Sequence, residues 1–322
     1  MVKVLITGGA GYVGSVVTGA FLEAGHQVTV LDSLESGGQG LLGYAANMRF
    51  RFLRGDVRDA RAAKEASKGQ DTIVHLAAVV GFGACNVDPQ RAAAINVEGT
   101  RTLLAARSPS QLFLHASTGS VYGAAPDGLC HEGLDPAPLS VYGRTKLQAE
   151  REVLEAGNTT AFRFATAFGM SPRMRVDLLV NGFVYDARRH GYVVIYDQHA
   201  RRTFIHVRDM ARAFLFALER AERMDGTSGA GGVGSMDGEV YNCGSDALNL
   251  TKDEIAQLLR ERLRFEVFYG PIGGDEDKRD YAVSYEKLEA LGYRTSISMA
   301  DGLGELVRGV DLLRHQGPFG NV

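Results

Sequence analysis

Cysteine is scarce: Cys85, Cys130 and Cys243 are the three in 322 residues, far apart and without a C-x-x-C pair. Neither a disulfide framework nor a thiolate metal site is expected from them, and no metal is; such usage fits a reducing cytosol. An excess of one charge is also missing. Thirty-five lysines and arginines against 38 aspartates and glutamates leave a net charge of −3. That balance offers no electrostatic footprint for nucleic acid or an anionic membrane, and neither partner is expected. No apolar run approaches the ~18–20 residues of a spanning helix. Met1 leads straight into a strand-like run with no separate apolar leader, so a cytoplasmic protein is expected rather than an exported one. What is plentiful is glycine, 40 residues or about 12%, against a usual ~7%.

The first 160 or so residues alternate between strand and helix signals. Short apolar runs at 2–7, 28–32, 48–55, 72–75 and 111–116 read as buried strands, and 15–24, 60–68 and 89–107 as helices between them. Strands alternating with helices imply βαβ units and a doubly wound parallel sheet, an α/β fold of the Rossmann type. We expect this domain over 1–165, with later elements returning to it, and a second one over 166–322. In the second half, 176–190 and 207–222 read as helices, and Thr251-Lys252-Asp253-Glu254 as a capping box opening another. Six glycines between Gly226 and Gly238 read as a surface loop, because no strand leads into them.

The glycines that carry chemistry stand after the first strand, in Thr7-Gly8-Gly9-Ala10-Gly11-Tyr12-Val13-Gly14. Gly8, Gly11 and Gly14 are spaced G-x-x-G-x-x-G between a strand and a helix. There glycine permits a sharp turn, close approach of backbone to a pyrophosphate, and tight packing of helix on strand. The helix start supplies unpaired N–H groups and a positive dipole end for phosphate. Asp32, followed by Ser33, ends the second strand 18 residues past Gly14. A carboxylate there accepts from ribose hydroxyls and repels a 2′-phosphate, which favours NAD over NADP; the plain alternative is a loop cap. Asp56 and Val57 after the third strand can flank the adenine, though alone they are no more than a turn signal.

Tyr142-Gly143-Arg144-Thr145-Lys146 has the form Y-x-x-x-K, which puts phenol and ammonium on one helical face. An ammonium beside a phenol favours phenolate and makes tyrosine an acid/base near neutral pH. An exposed helix pair has the same spacing. His115-Ala116-Ser117-Thr118-Gly119-Ser120-Val121-Tyr122-Gly123 closes another strand, and Thr118 can present its hydroxyl at that carboxyl end, where open α/β sheets bind ligands. His75 reads as a satisfied buried histidine, Cys85 as a small hydrophobe, and Cys130-His131 as surface loop.

Together with His75-Leu76-Ala77-Ala78, Asn96-Val97-Glu98-Gly99-Thr100 and Arg202-Thr203-Phe204-Ile205-His206-Val207-Arg208-Asp209, these motifs resemble the extended short-chain dehydrogenase/reductase family, specifically its NAD-dependent nucleotide-sugar epimerases and dehydratases. The resemblance covers nearly the whole chain. It implies a tightly held NAD, a smaller C-terminal α/β domain binding a nucleoside-diphosphate sugar, and a homodimer. Carried over, Tyr142 is the acid/base on a sugar hydroxyl, usually at C4. Lys146 binds the nicotinamide ribose and tunes Tyr142, and Thr118 bonds the same sugar oxygen. Gly8, Gly11, Tyr12, Val13, Gly14, Asp32, Ser33, Asp56, Val57, Leu76, Ala77, Ala78 and Asn96 are expected around the cofactor. Ser117, Thr118, Ser120, Thr166, Arg175, Asn181, Arg202 and Arg279 are expected around the sugar nucleotide, Arg202 and Arg279 as diphosphate clamps. Thr166 stands where many relatives place Asn.

Relatives that dehydrate across C5–C6 usually carry a Glu two positions after the Thr118 position, often preceded by Asp; those that epimerise C3 and C5 carry Cys there. Here the pair is Gly119 and Ser120, neither of them a competent base at neutral pH. The residues therefore favour a 4-epimerase passing through a 4-keto sugar. A 4-ketoreductase, a dehydratase with another base, and a non-catalytic NAD-binding sensor remain open alternatives. Which sugar and which nucleotide bind is not legible.

Overall fold

The computed structural model describes residues 1–123, 129–225, 235–270 and 281–313. In chain order the first strands are β1 (Lys3–Thr7), β2 (Gln27–Asp32), β3 (Phe50–Arg54), β4 (Thr72–His75) and β5 (Leu112–Thr118). Between them run helices α1 (Tyr12–Glu23), α2 (Ala60–Ser67), α3 (Phe82–Val87), α4 (Pro89–Ala93) and α5 (Gly99–Ala106). After the short strand β6 (Leu129–Cys130) come α6 (Val141–Glu155), β7 (Thr159–Phe164), β8 (Thr166–Phe168), α7 (Leu179–His190), β9 (Tyr192–Ile195), β10 (Arg201–His206) and α8 (Val207–Asp225). The rest is β11 (Glu239–Cys243), β12 (Asn249–Thr251), α9 (Lys252–Arg260), β13 (Glu266–Tyr269), β14 (Ala282–Val283), α10 (Glu286–Ala290) and α11 (Met299–Gly309).

Seven strands form one sheet in the order β11-β7-β5-β4-β1-β2-β3, every neighbouring pair parallel. Parallel pairing needs a crossover between strands, and helices covering both faces account for strands apolar on both sides. Val4, Ile6, Val28, Val30 and Leu114 face the cluster that holds Val17 and Phe21 of α1 and Phe214 of α8. Their neighbours Leu5, Leu31, Ile73 and Phe113 face the cluster with Ala63 of α2, Leu103 of α5 and Val153 of α6. The order places β1 beside β4, with β2 leading off on the other side, so the chain reverses direction in the sheet there. A crevice at the carboxyl ends of the strands follows.

The sequence reads as one helix over 89–107. The structure inserts a π-helical turn, Ala94–Glu98, between α4 and α5. Such a turn rotates the helix face, and Asn96 within it makes contacts described below.

A second core gathers the later elements. β12-β10-β8 form a three-stranded sheet and β13 pairs with β9. Phe168, Phe204, Val180, Val184, Ile255, Leu259, Leu303 and Leu306 close over them from strands and from α7, α9 and α11. The expected capping box is present: Thr251 Oγ1 accepts from Glu254 N while a Glu254 carboxylate oxygen accepts from Thr251 N. Cys130 departs from its surface-loop reading. It is fully buried, because β6 pairs with β14 and carries it into the main core. Most of the Gly226–Gly238 stretch lies outside the described residues. Among the described residues no helix is long and apolar enough to cross a membrane, and no group of three His, Cys, Asp or Glu could hold a metal ion.

Candidate active site

A cleft of about 720 Å³ opens at the carboxyl ends of β1, β2, β4, β5 and β7 and reaches across to the second core. Its first wall is the glycine turn. Gly8 has φ +75°, and a Cβ there would stand 2.7 Å from Ala77 N. A Cβ on Gly14 would stand 2.0 Å from Gly8 O, so only bare backbone lets helix and strand meet. Gly11 caps α1 with no side-chain bond and no acidic residue in the first turn. The helix start therefore keeps its amides and dipole for an anion.

Asp32 lies on the same wall, its Oδ2 accepting from Ala10 N at 2.9 Å and its Oδ1 from Leu34 N at 2.8 Å. Burial pushes its carboxyl above the ordinary range, against the pull of those two N–H groups. Ser33, Asp56, Val57, Leu76, Ala77 and Ala78 line the cleft as well. The Asp56 carboxylate is engaged by Arg58, which holds its pKa down. Phosphate-ready amides, a ribose-height carboxylate and apolar residues between them fit a dinucleotide.

The reacting groups face this wall. Ser140 caps α6, its Oγ accepting from Gly143 N at 3.0 Å, which sets Tyr142 in the first turn and Lys146 one turn further. Both line the cleft with Thr118. Thr118 Oγ1 donates to Ser120 Oγ and accepts from Ser120 N, each at 3.2 Å, which folds the turn after β5. Ser117 Oγ donates to Glu150 Oε2 at 2.5 Å. Glu150 also pairs with Arg163, Nη2 to Oε1 at 2.7 Å, with both side chains buried. Arg163 continues to Tyr122 Oη at 3.1 Å, and Tyr122 Oη donates to Asn242 Oδ1 at 2.7 Å. This chain ties β5, α6, β7 and β11 beneath the reacting groups. Lys146 is buried, and desolvation lowers its pKa to about 8, with Glu150 opposing.

A sequence profile described as the NAD dependent epimerase/dehydratase family matches residues 4–244. The chain belongs to that family. A dTDP-glucose 4,6-dehydratase of Streptomyces niveus is 31% identical over 325 residues, covering 95% of this chain and 91% of that protein. The structure of a UDP-glucose 4-epimerase of Thermotoga maritima, solved with UDP-glucose, superposes with a TM-score of 0.81 at 27% identity, over 95% of this chain and 97% of that one. A dTDP-glucose 4,6-dehydratase of Streptomyces venezuelae, solved with NAD bound, gives 0.80 at 29% identity, over 95% and 96%. The protein is thus an enzyme of the NAD-dependent epimerase/dehydratase family, and NAD is its cofactor.

For a member of this family the remaining expected residues divide. Ser117, Ser120, Thr166 and Arg175 line the cleft. Arg175 is paired with Asp177, Nη2 to Oδ2 at 2.5 Å. Asn96, Asn181 and Arg202 do not line it. The π-turn directs Asn96 at Val79, whose N–H it accepts at 2.7 Å and whose carbonyl it bonds at 3.0 Å. Asn96 therefore braces a cleft residue from behind. Asn181 accepts from Gly169 N and donates to Tyr12 Oη and Arg175 O, a role within the wall. Arg202 is buried on β10, with Nη1 donating to Arg201 O. Arg279 lies outside the described residues.

Arg91, Arg173, Tyr281 and Val79 are among the further residues that line the cleft. Arg91 of α4 reaches the Asp32 end of the cleft and pairs with Glu35. Arg173 lines the cleft, and its Cβ, like that of Ser15, lies close against Gly40. Tyr281 lines it too, and its hydroxyl donates to Gly119 O at 2.7 Å. Val79 completes the apolar floor. No local motif marks Arg91 or Val79, whereas Arg173 stands beside Arg175 where relatives contact the nucleotide.

Proposed function

We propose that the protein is a nucleotide-sugar 4-epimerase. The observation that carries this reading is a cleft wall holding Thr118, Tyr142 and Lys146 with Gly119 and Ser120 as its neighbouring residues. When bound, NAD supplies the acceptor and then the donor of the C4 hydride. Tyr142 as phenolate takes the C4 hydroxyl proton, and returns it when the carbonyl is reduced from the other face. The Lys146 ammonium, one helical turn away, favours that phenolate. Thr118 serves the same oxygen when its hydroxyl turns from Ser120 Oγ to the substrate. Arg173 and Arg175, two guanidiniums on the cleft wall, suit a diphosphate. Gly119 and Ser120 provide no base at neutral pH, so chemistry stays at C4.

A dehydratase is the second reading, favoured by the Streptomyces niveus relative. Incubation with UDP-glucose and with dTDP-glucose, without added cofactor, separates the two. An epimerase returns the C4-inverted sugar at unchanged mass. A dehydratase returns a keto sugar lighter by one water, and that product overturns the first reading. A requirement for stoichiometric reduced cofactor would instead mark a ketoreductase, and no turnover with any nucleotide sugar a sensor. A homodimer belongs to the same reading and rests on the family resemblance; sedimentation velocity checks it.

A further inference from the structure

Beneath the reacting groups lies a histidine that the proposed chemistry does not use. His115, on β5 three residues before Thr118, is fully buried, and its Nε2 stands 3.1 Å from Lys146 Nζ. Its other nitrogen, Nδ1, finds no hydrogen-bond partner among the described residues. The neighbouring His75 differs: its Nδ1 stands 2.7 Å from Thr7 Oγ1 and its Nε2 2.9 Å from Thr100 Oγ1, both ends satisfied. The two rings are 5.4 Å apart. A buried donor or acceptor without a partner is costly, and His115 bears that cost while its second nitrogen meets an ammonium.

We propose that His115 is a positioning residue that accepts a hydrogen bond from Lys146, and so sets where that ammonium sits and how long it stays charged as pH rises. An ammonium has only donors, so while Lys146 is charged the Nε2 of His115 must be bare and its proton must sit on Nδ1. Burial and the Lys146 charge both push the His115 pKa well down, which keeps the ring neutral. Lys146, lowered to about 8 by burial, gains back some of the lost stability of its charged form from this acceptor. The titratable groups facing Lys146 are His115 from β5, His75 from β4, Cys85 from α3, and Glu150 and Tyr142 from α6, with Arg163 of β7 engaged by Glu150. His75 is held neutral, its pKa near 3, and the Cys85 thiol is pushed up to about 11. Among them the neutral acceptor in direct contact with Nζ is His115.

The inference rests on the epimerase reading for its kinetic consequence, so its test reads the lysine directly. In the NAD-loaded protein labelled with ¹³Cε-lysine, Lys146 is one of seven lysines and is assigned with Lys146→Met. Its resonance should titrate near pH 8 in the parent protein. The midpoint should fall by about one pH unit, a tenfold loss of ammonium at fixed alkaline pH, in His115→Phe. It should return toward the parent value in His115→Gln, whose amide oxygen restores an acceptor. The alkaline limb of kcat should move with it. An unchanged midpoint in His115→Phe overturns the inference. If that variant does not fold, ¹⁵N spectra of the parent protein decide: a bare Nε2 at pH 7 supports the contact, and a protonated Nε2 ends it. Absence of turnover on every sugar, with the midpoint shift intact, counts against the proposed reaction alone.

Discussion

At the glycine-turn end of the cleft the wall is main chain: Gly8 turning at φ +75°, Gly14 with no room for a methyl, and a helix start with bare amides. At the other end the wall is built of long side chains, Arg173, Arg175 and Tyr281, delivered from segments more than 100 residues apart. The first kind of site tolerates almost no variation, since a backbone collision has no rotamer to relieve it. The second can be rebuilt by exchanging a few side chains on an unchanged frame. One family can in this way keep a single cofactor and serve different sugars and reactions.

Several substitutions test that contrast. The largest effect is expected at the point where the ends meet: Tyr142→Phe should lower kcat about 10²–10⁴-fold, while bound NAD, measured by absorbance after gel filtration, stays at the parent level. Next comes the buried support beneath both ends. Arg163→Met strands the Glu150 carboxylate, nearly all of it buried, and should cost about 3–5 kcal/mol in urea unfolding. If the loss is no greater than for a surface ion pair, the network is not what holds β5 and α6 together. Gly14→Ala should cost about 1–3 kcal/mol and empty the protein of NAD. A variant of normal stability that retains NAD would erase the distinction between the ends. The smallest change is at Asp32→Asn, where the preference for NAD over NADP should narrow about tenfold to hundredfold, with Arg91 nearby to receive the phosphate.

The large sheet was legible because its cause is local. Short apolar runs, helical periods and glycines at turns identify β1 to β5 and α1 without reference to anything distant. The same holds for the glycine turn, Asp32, and the spacing of Tyr142 and Lys146. Asn96, expected beside the cofactor, stands in a π-turn that rotates its face, and no residue pattern announces such a turn. Asn181 and Arg202 are expected at the sugar nucleotide by resemblance alone; in the structure Asn181 bonds within the wall and Arg202 is buried on β10. Arg91 and Tyr281 reach the cleft through long-range folding, and sequence proximity carries no trace of that. His115 was visible only as part of a motif; its meeting with Lys146 depends on how β5 lies against α6.

Tyr12 sits in the glycine turn, yet its hydroxyl donates to Gly169 O at 2.6 Å and receives a bond from Asn181. Three residues on, Ser15 Oγ lies 3.0 Å from Ser171 Oγ. These bonds latch the first helix onto the turn after β8 like a bolt across a door. The glycine turn and the segment that carries Arg173 and Arg175 are therefore held as one piece.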